Sequence, residues 1–278
     1  MKKITRRSFL AAASLTAAAL ALTACGGSSS STASSTASSA ASSEAASSSA
    51  AAELTTVEAG KLTMATNATF PPYEMTTDTG AFEGIDVDTA QAIAEKLGLE
   101  LQIDDMEFDA ALLSVQQGKA DIVMAGVTVT DERKAVMDFS DSYATGIQSI
   151  IVPEGSDIAT PDDLAGKKIG TQRGTTGYIY CSDDFGDENV VAYDSGLTAV
   201  QALNNGQVDA VVIDNAPAKE YVAANPGLVI LDTSYAEEDY AIGMAKGSAL
   251  EDAINAALEE LKADGTLQSI VDKYITAE

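Results

Sequence analysis

The pattern of apolar and polar residues after position 60 alternates between short aliphatic runs and longer segments with helical spacing. The aliphatic runs predict strands at residues 62–65, 99–103 and 120–125. The segments between them repeat apolar residues at helical spacing and stop at a glycine, which predicts helices at residues 88–97 and 110–117. The order strand, helix, strand, helix, strand favours a parallel sheet covered by helices.

The same order of elements recurs in the second half. The predicted elements there are strands at 168–171, 190–193 and 208–213 and helices starting at 176 and 197. VQQGKADIVMA at 115–125 and LNNGQVDAVVI at 203–213 share a helix end, a glycine, an aspartate and an aliphatic run. One match of this kind carries little weight, because many helix-to-strand connections have this form. Together with the order of elements, it predicts two similar α/β lobes.

The remaining segments connect and complete these lobes. A strand at 240–245 precedes an amphipathic helix at 249–263 and a last helix at 267–275. Extended stretches around 145–152 and 233–240 predict two crossings between the lobes, with the C-terminal helices packed on the first. Residues 56–144 and 240–278 would then form the first lobe and residues 145–239 the second. A ligand cleft is expected between them, at the carboxyl ends of the strands.

The first 24 residues have the layout of a cleaved export signal. Two lysines and two arginines precede an apolar stretch at 9–22 that is too short to span a membrane. The small residues that follow stop at Cys25, which resembles a bacterial lipobox, where the mature chain begins at a cysteine carrying a diacylglyceryl anchor. The start also resembles a twin-arginine signal. The alternative is an ordinary secretory signal with a chance cysteine.

Residues 26–52 consist of Ser, Ala, Thr and Gly, with Glu44 as the one exception. Such a segment has no large apolar side chains to offset the entropy of ordering, so residues 25–55 are predicted to be a disordered, lipid-anchored linker. The serines could alternatively carry glycans. In either case the linker would hold a folded domain at the outer face of the bacterial cytoplasmic membrane.

Charge and residue counts exclude several classes of protein. The formal net charge is −26 over 278 residues, which argues against non-specific binding of nucleic acid. The chain has no histidine, so Ser-His-Asp catalysis and the usual zinc sites are not available, and we expect neither an enzyme nor a metal or other cofactor. Beside Cys25 there is one more cysteine, Cys181, which we expect to be a surface or half-buried thiol rather than a nucleophile.

Arginine is scarce after the signal, since Arg133 and Arg173 are the only two. A guanidinium can hold a carboxylate through two hydrogen bonds, which makes Arg133 a candidate ligand for such a group. The alternative is a surface arginine that is balanced by Asp131 and Glu132. The sequence around Arg133 does not decide between the two.

Other candidates follow predicted strands. Thr175 and Thr176 lie where a helix begins and could hold an anion. Asp214 ends the strand at 208–213 and could hold an ammonium group, although it could equally cap the next helix. Phe70 and Phe108 follow the first two strands, where aromatic residues belong either to the core or to the wall of a cleft.

Six stretches carry a resemblance to a known family. They are ATNATFPPYE (65–74), FEGIDVDTAQAIAEKLG (82–98), MAGVTVTDERKAVMDFSDSYATG (124–146), SDIATPDDLAGKKIGTQRGTTG (156–177), VDAVVIDNAPA (208–218) and DGTLQSIVDKY (264–274). In order and spacing they resemble the polar amino-acid-binding lipoproteins of ABC importers, the extracellular solute-binding proteins of family 3. The resemblance implies a periplasmic-binding-protein-like fold that closes on a free L-amino acid.

The resemblance also implies roles for the candidate residues. Arg133 would hold the α-carboxylate, helped by Thr128 and a main-chain amide near Thr176. The α-ammonium would contact Asp214 and the carbonyl of Gly126.

Phe70 and Phe108 would enclose the side chain of the amino acid. Asn67 stands where glutamine-binding and basic-amino-acid-binding relatives typically carry an acid, which predicts a neutral polar ligand. The partners implied are an ABC permease with its ATPase subunit, and the head is expected to be monomeric. Alternatives within the same fold are an amino-acid sensor and a dehydratase-like enzyme acting on a small acid.

Overall fold

A computed structural model describes residues 54–275 of the chain. The predicted export signal, Cys25 and the linker up to residue 53 lie outside the described residues. Among residues 54–275, no helix is both long enough and apolar enough to cross a membrane.

The described residues form fourteen strands and eight α-helices. The strands are β1 (Lys61–Thr66), β2 (Thr69–Phe70), β3 (Glu74–Thr76), β4 (Phe82–Glu83), β5 (Glu100–Asp105), β6 (Ile122–Val123), β7 (Met137–Phe139), β8 (Ala144–Pro153), β9 (Ile169–Gln172), β10 (Val190–Tyr193), β11 (Ala210–Asp214), β12 (Leu228–Ile230), β13 (Ala236–Tyr240) and β14 (Gly243–Ala245). The helices are α1 (Ile85–Leu97), α2 (Phe108–Gln116), α3 (Asp131–Lys134), α4 (Thr176–Phe185), α5 (Gly196–Asn204), α6 (Asn215–Ala224), α7 (Glu251–Ala263) and α8 (Thr266–Tyr274). Short 3-10 helices lie at Pro161–Leu164 and Asp187–Asn189.

The two main sheets share the arrangement of their first three strands. The first runs β5-β1-β6-β14-β7, and the second runs β10-β9-β11-β8-β12 with β13 also paired to β8. In each, the first three strands are parallel and the next strand is antiparallel to its neighbours. The prediction of two α/β lobes is thus correct, and the three strands predicted to be parallel in the first lobe (β1, β5 and β6) are parallel. Strands β8 and β14 run antiparallel to the central strands of their sheets.

The repeated sequence motif forms the same turn in both lobes. Gly118 (φ 65°) follows α2 and Gly206 (φ 67°) follows α5, and both lie in the left-handed region that glycine adopts without steric cost. The aspartate of each motif then fixes the neighbouring parallel strand. Asp121 donates its N–H to the carbonyl of Thr63 and accepts the N–H of Thr63 on Oδ2 at 2.8 Å, and Asp209 makes the same pair of bonds with Lys168.

Several elements differ from the sequence-based expectation. Helix α1 begins at residue 85 rather than 88, because Gly84 lets the backbone pass the carbonyl of Tyr73, where a Cβ would collide. Helix α2 begins at Phe108 itself, so this aromatic residue is part of a helix. The predicted strand at 240–245 is divided, since β13 pairs in the second sheet and β14 in the first. The short strands β2, β3, β4, β7 and β12 were not predicted.

The two C-terminal helices pack against the first sheet. Helices α7 and α8 contribute Leu258, Leu261 and Leu267 to the core of the first sheet, next to Ile93 of α1. This arrangement agrees with the predicted return of the C-terminal helices.

Cys181 lies in the core of the second sheet and is fully buried, so the prediction of a surface or half-buried thiol is wrong. Burial raises the pKa of this thiol to about 12. The exact lobe boundaries at 144/145 and 239/240 stay a prediction.

Candidate functional site

One cavity lies between the two main sheets, and residues from both lobes line it. The lining residues are Asn67, Phe70, Glu74, Phe108, Ala125, Gly126, Thr128, Arg133, Gln148, Gln172, Thr175, Thr176, Val212, Ile213, Asp214 and Tyr240. The structure therefore brings together all nine residues that the sequence singles out as ligand contacts. The remaining space is about 30 Å³, which is room for only one or two water molecules. Entry of a larger molecule requires the lobes or these side chains to move.

Arg133 is buried at the boundary between the lobes. Thr130 caps α3 by accepting the Arg133 N–H, which starts the helix and turns the side chain inward. The guanidinium donates from Nη1 to the Thr128 carbonyl at 2.7 Å and from Nη2 to the Gly174 carbonyl at 3.1 Å, and lies 5.5 Å from the ring centre of Phe108. These two carbonyls accept two of its five N–H donors and, being neutral, do not balance its charge.

Only 8% of Arg133 is exposed to solvent, which excludes the interpretation as a surface arginine. Burial lowers the pKa of its guanidinium, while the negative charge of Glu238 opposes the shift. Within residues 54–275 the guanidinium forms no ion pair with a carboxylate at salt-bridge distance. A buried cation of this kind is a suitable partner for an incoming anion.

Asp214 supplies the opposite charge at the same cavity. Its Oδ1 accepts the Ala216 N–H at 3.0 Å and caps α6, and its Oδ2 accepts the Ile147 N–H of β8 at 2.8 Å. The helix-capping role is therefore confirmed, and the same carboxylate also lines the cavity. Burial raises its pKa to about 6, although both backbone hydrogen bonds favour the ionised form.

A second pair of buried acids, Asp86 and Glu74, lies at the edge of the cavity. Asp86 Oδ2 accepts the N–H of Gly126 at 3.0 Å, which fixes the backbone of this cavity-lining glycine. Glu74 lines the cavity, and neither of its carboxyl oxygens has a hydrogen-bond partner among the described residues. Burial raises the pKa of Asp86 to about 6, and burial together with the charge of Asp86 raises the pKa of Glu74 well above its usual range.

Glu238 is a further buried acid that sequence reasoning missed. It lies in β13 and is 7% exposed. Its Oε2 accepts hydrogen bonds of 3.0 Å each from the hydroxyls of Thr128 and Thr176 and from the side-chain amide of Gln148. The sequence of β13, AEEDY, does not distinguish Glu238 from its acidic neighbours Glu237 and Asp239, so no local signal identified it.

Side-chain amides join the lobes on the other side of the cavity. Gln172 donates to Asn67 Oδ1 at 2.8 Å, and Asn67 donates from Nδ2 to the Met106 carbonyl at 2.9 Å. Tyr221 adds a bond from its hydroxyl to the Thr69 carbonyl at 2.6 Å. Arg173 points away from the cavity, because half of its side chain is exposed and its nearest acid is Asp194 at 3.5 Å.

The buried acids make stability depend on pH. The Asp86 carboxyl has a pKa of about 6 in the folded protein and an ordinary value of 3.8, so it stabilises the fold below pH 3.8, and this contribution is lost as pH rises through 6. Asp86→Asn keeps an acceptor for Gly126 but removes this titration. The free energy of unfolding of the variant should rise relative to that of the natural chain by about 1–3 kcal/mol between pH 4 and pH 7. Urea unfolding at several pH values measures it, and parallel curves would contradict it.

Known proteins are similar to this chain in sequence and in fold. The model of the bacterial extracellular solute-binding proteins, family 3, matches residues 62–277. The L-cystine-binding protein TcyJ of Escherichia coli strain K12 is 33% identical over 226 residues, covering 80% of this chain and 85% of that protein. The arginine-binding extracellular protein ArtP of Bacillus subtilis strain 168 is 33% identical over 228 residues, covering 78% and 87%. The family consists of extracellular solute-binding proteins and not of enzymes.

Solved structures agree with this comparison. The arginine-, lysine-, histidine-binding protein ArtJ of Geobacillus stearothermophilus has a TM-score of 0.75 and 34% identity, covering 78% of this chain and 96% of that one. An ancestral arginine-binding protein bound to glutamine has a TM-score of 0.75 and 42% identity, covering 78% and 99%. The fold is the periplasmic-binding-protein fold expected from the sequence. The chain therefore belongs to the bacterial extracellular solute-binding proteins, family 3.

Proposed function

We propose that this protein captures a free L-amino acid, with a neutral polar side chain, between its lobes and delivers it to an ABC permease. The observation that carries the proposal is the pair of buried, opposite charges on Arg133 and Asp214 around one cavity. An amino acid is a zwitterion, and its two charged groups would neutralise both residues without leaving a charge unpaired.

The carboxylate end of the ligand would bind to Arg133. Its guanidinium already bridges the two lobes through the carbonyls of Thr128 and Gly174. A carboxylate bound to the guanidinium would therefore lie between the two lobes. Thr176 is the first residue of α4, where main-chain N–H groups are free of intrahelical partners, and Thr175 caps this helix through its side chain. The guanidinium, the helix amides and the hydroxyls of Thr128 and Thr176 would together surround the carboxylate.

The ammonium end would bind to Asp214 and to the carbonyl of Gly126. Support comes from the anchoring of both groups, since Asp214 is tied to the Ile147 N–H of β8 and Gly126 is tied to Asp86. Ammonium binding favours the ionised form of Asp214 and would draw its pKa down from about 6.

The side chain of the ligand would lie against Phe70, Phe108 and Asn67. The Asn67 amide both donates and accepts hydrogen bonds, with Met106 and Gln172 as its partners. A cationic ligand side chain would need an ionised acid there, and Glu74 favours the protonated form because of its burial. One solved relative, an ancestral arginine-binding protein, is described as bound to glutamine, and other relatives are also named for arginine, so arginine is the proper competitor.

Arg133→Ala should weaken the binding of every amino acid that the protein accepts by about 2–4 kcal/mol, because the ligand carboxylate is left buried and unpaired. Arg173→Ala is the matched control, since Arg173 is half exposed and points away from the cavity. Isothermal titration calorimetry on both variants measures the difference. Equal affinities in folded Arg133→Ala and Arg173→Ala proteins would show that Arg133 does not hold the ligand.

Neutral polar amino acids such as glutamine, asparagine, serine or cystine should bind at least about tenfold more tightly than arginine or lysine, a difference of about 1.4 kcal/mol or more. Asn67→Asp should narrow this gap by adding a carboxylate next to the ligand side chain. Competition calorimetry of glutamine against arginine is the direct measurement. A clear preference of the natural chain for arginine would refute this selectivity. It would indicate that Glu74 is the acid that pairs with the cationic side chain of the ligand.

Delivery requires the lobes to open and close. The crossing strands β8 and β13 pair with each other and form the connection about which the lobes would hinge, and contacts of the ligand with both lobes would stabilise the closed form. A permease with its ATPase subunit would recognise the closed, monomeric head.

We further propose that the protein is held at the outer face of the cytoplasmic membrane by a lipid on Cys25. Support comes from the small residues that end at Cys25 and from the Ser/Ala-rich segment after it. In bacterial cells the N-terminal peptide of the mature chain should begin at Cys25 and carry the mass of a lipid, and Cys25→Ser should release the protein from membranes. Mass spectrometry and fractionation test this, and an unmodified N-terminal cysteine would disprove it.

A further inference from the structure

Glu238 occupies a position that a ligand carboxylate would also need. Its Oε2 accepts the hydroxyl protons of Thr128 from one lobe and Thr176 from the other, both at 3.0 Å. The side-chain amide of Gln148 on β8 makes a third bond to the same oxygen. One carboxylate oxygen of a crossing strand therefore collects donors from both lobes and from the other crossing strand.

The number of protons limits what the two threonines can do. A threonine hydroxyl has one proton, and a carboxylate has none at neutral pH, so each hydroxyl can donate to Glu238 or to a ligand carboxylate but not to both. When Thr128 and Thr176 donate to Glu238, Arg133 and main-chain amides are the donors left for the ligand. Their donation to Glu238 therefore competes with their proposed contact to the ligand.

Charge acts in the same direction as hydrogen bonding. The negative charge of Glu238 opposes the lowering of the Arg133 pKa by burial. The same charge contributes to the raised pKa of Asp214. A ligand carboxylate would place a second negative charge at the same donors. Glu238 Oε1 is buried and has no hydrogen-bond partner among the described residues, so no bond at this oxygen spreads the charge.

We infer that Glu238 is an affinity-setting residue: its carboxylate stands in for the ligand carboxylate at the hydroxyls of Thr128 and Thr176. These bonds close the cleft when no amino acid is bound, and the ligand has to displace them. The inference rests on the proposed function, because it assigns the competing ligand group to an α-carboxylate. Its consequence is that the natural chain binds more weakly than its other contacts allow.

Glu238→Gln tests this, with Glu237→Gln as the matched control. Both substitutions remove one negative charge from β13, but Glu237 is exposed and Glu238 is buried. Glu238→Gln should tighten binding of every accepted amino acid by about threefold to tenfold, because a neutral amide is a weaker acceptor and does not repel a carboxylate. Glu237→Gln should leave the affinity unchanged.

A second readout concerns closure without ligand. Small-angle scattering of the ligand-free proteins should give a larger radius of gyration for Glu238→Gln than for the natural chain and for Glu237→Gln, since a bond between the lobes is weakened. The N-terminal residues are the same in all three and do not affect the comparison. If circular dichroism shows that Glu238→Gln is not folded, Glu238→Met replaces it, since methionine has a similar volume and no carboxyl oxygen. Binding should again be tighter and the ligand-free radius of gyration larger.

The outcomes separate this inference from the proposed function. Unchanged or weaker binding by Glu238→Gln, while Arg133→Ala still loses affinity, overturns the role of Glu238 and leaves the proposed function intact. Failure of the natural chain to bind any amino acid overturns both. Tighter binding together with an unchanged radius of gyration overturns the closing role of Glu238.

Discussion

The constraint on which the site depends is a buried cation, Arg133, that has no carboxylate at ion-pair distance among residues 54–275. Desolvation of the Arg133 guanidinium is costly, and the protein meets that cost with main-chain carbonyls from both lobes rather than with a carboxylate at ion-pair distance. The helix cap at Thr130 sets where the side chain begins, and the ring of Phe108 borders it. Because one carbonyl belongs to each lobe, the position of this single charge depends on how the lobes meet.

Two of the buried acids at the cavity, Asp214 and Asp86, are likewise held by backbone N–H groups rather than by cations. Asp214 accepts N–H groups from α6 and β8, and Asp86 accepts the N–H of Gly126. Hydrogen bonds of this kind orient a carboxylate without neutralising it, so the groups stay available to a ligand. The raised pKa values of both acids show the remaining cost of burial.

The sequence predicts local features of this molecule well and long-range pairings poorly. The turns at Gly118 and Gly206 and the helices before them follow from residue type and spacing, and the nine candidate residues follow from motifs that match whole segments. The antiparallel direction of β8 and β14 depends on which strand each meets in space, and no local pattern encodes it. Glu238 was missed for the same reason, because an acid in a short strand is buried only by partners distant in sequence.

The return of the C-terminal helices to the first lobe has a consequence for biosynthesis. The strands of the second sheet occupy one continuous segment, from Ala144 to Tyr240, whereas the first sheet needs β14, and its core needs Leu258, Leu261 and Leu267. The Tyr274 hydroxyl even accepts the N–H of Gly84, 190 residues earlier. Because the chain is synthesised from its N-terminus onward, the second lobe can complete its sheet before the first lobe does. The first lobe, although it emerges earlier, cannot complete its core until almost the last residue is available.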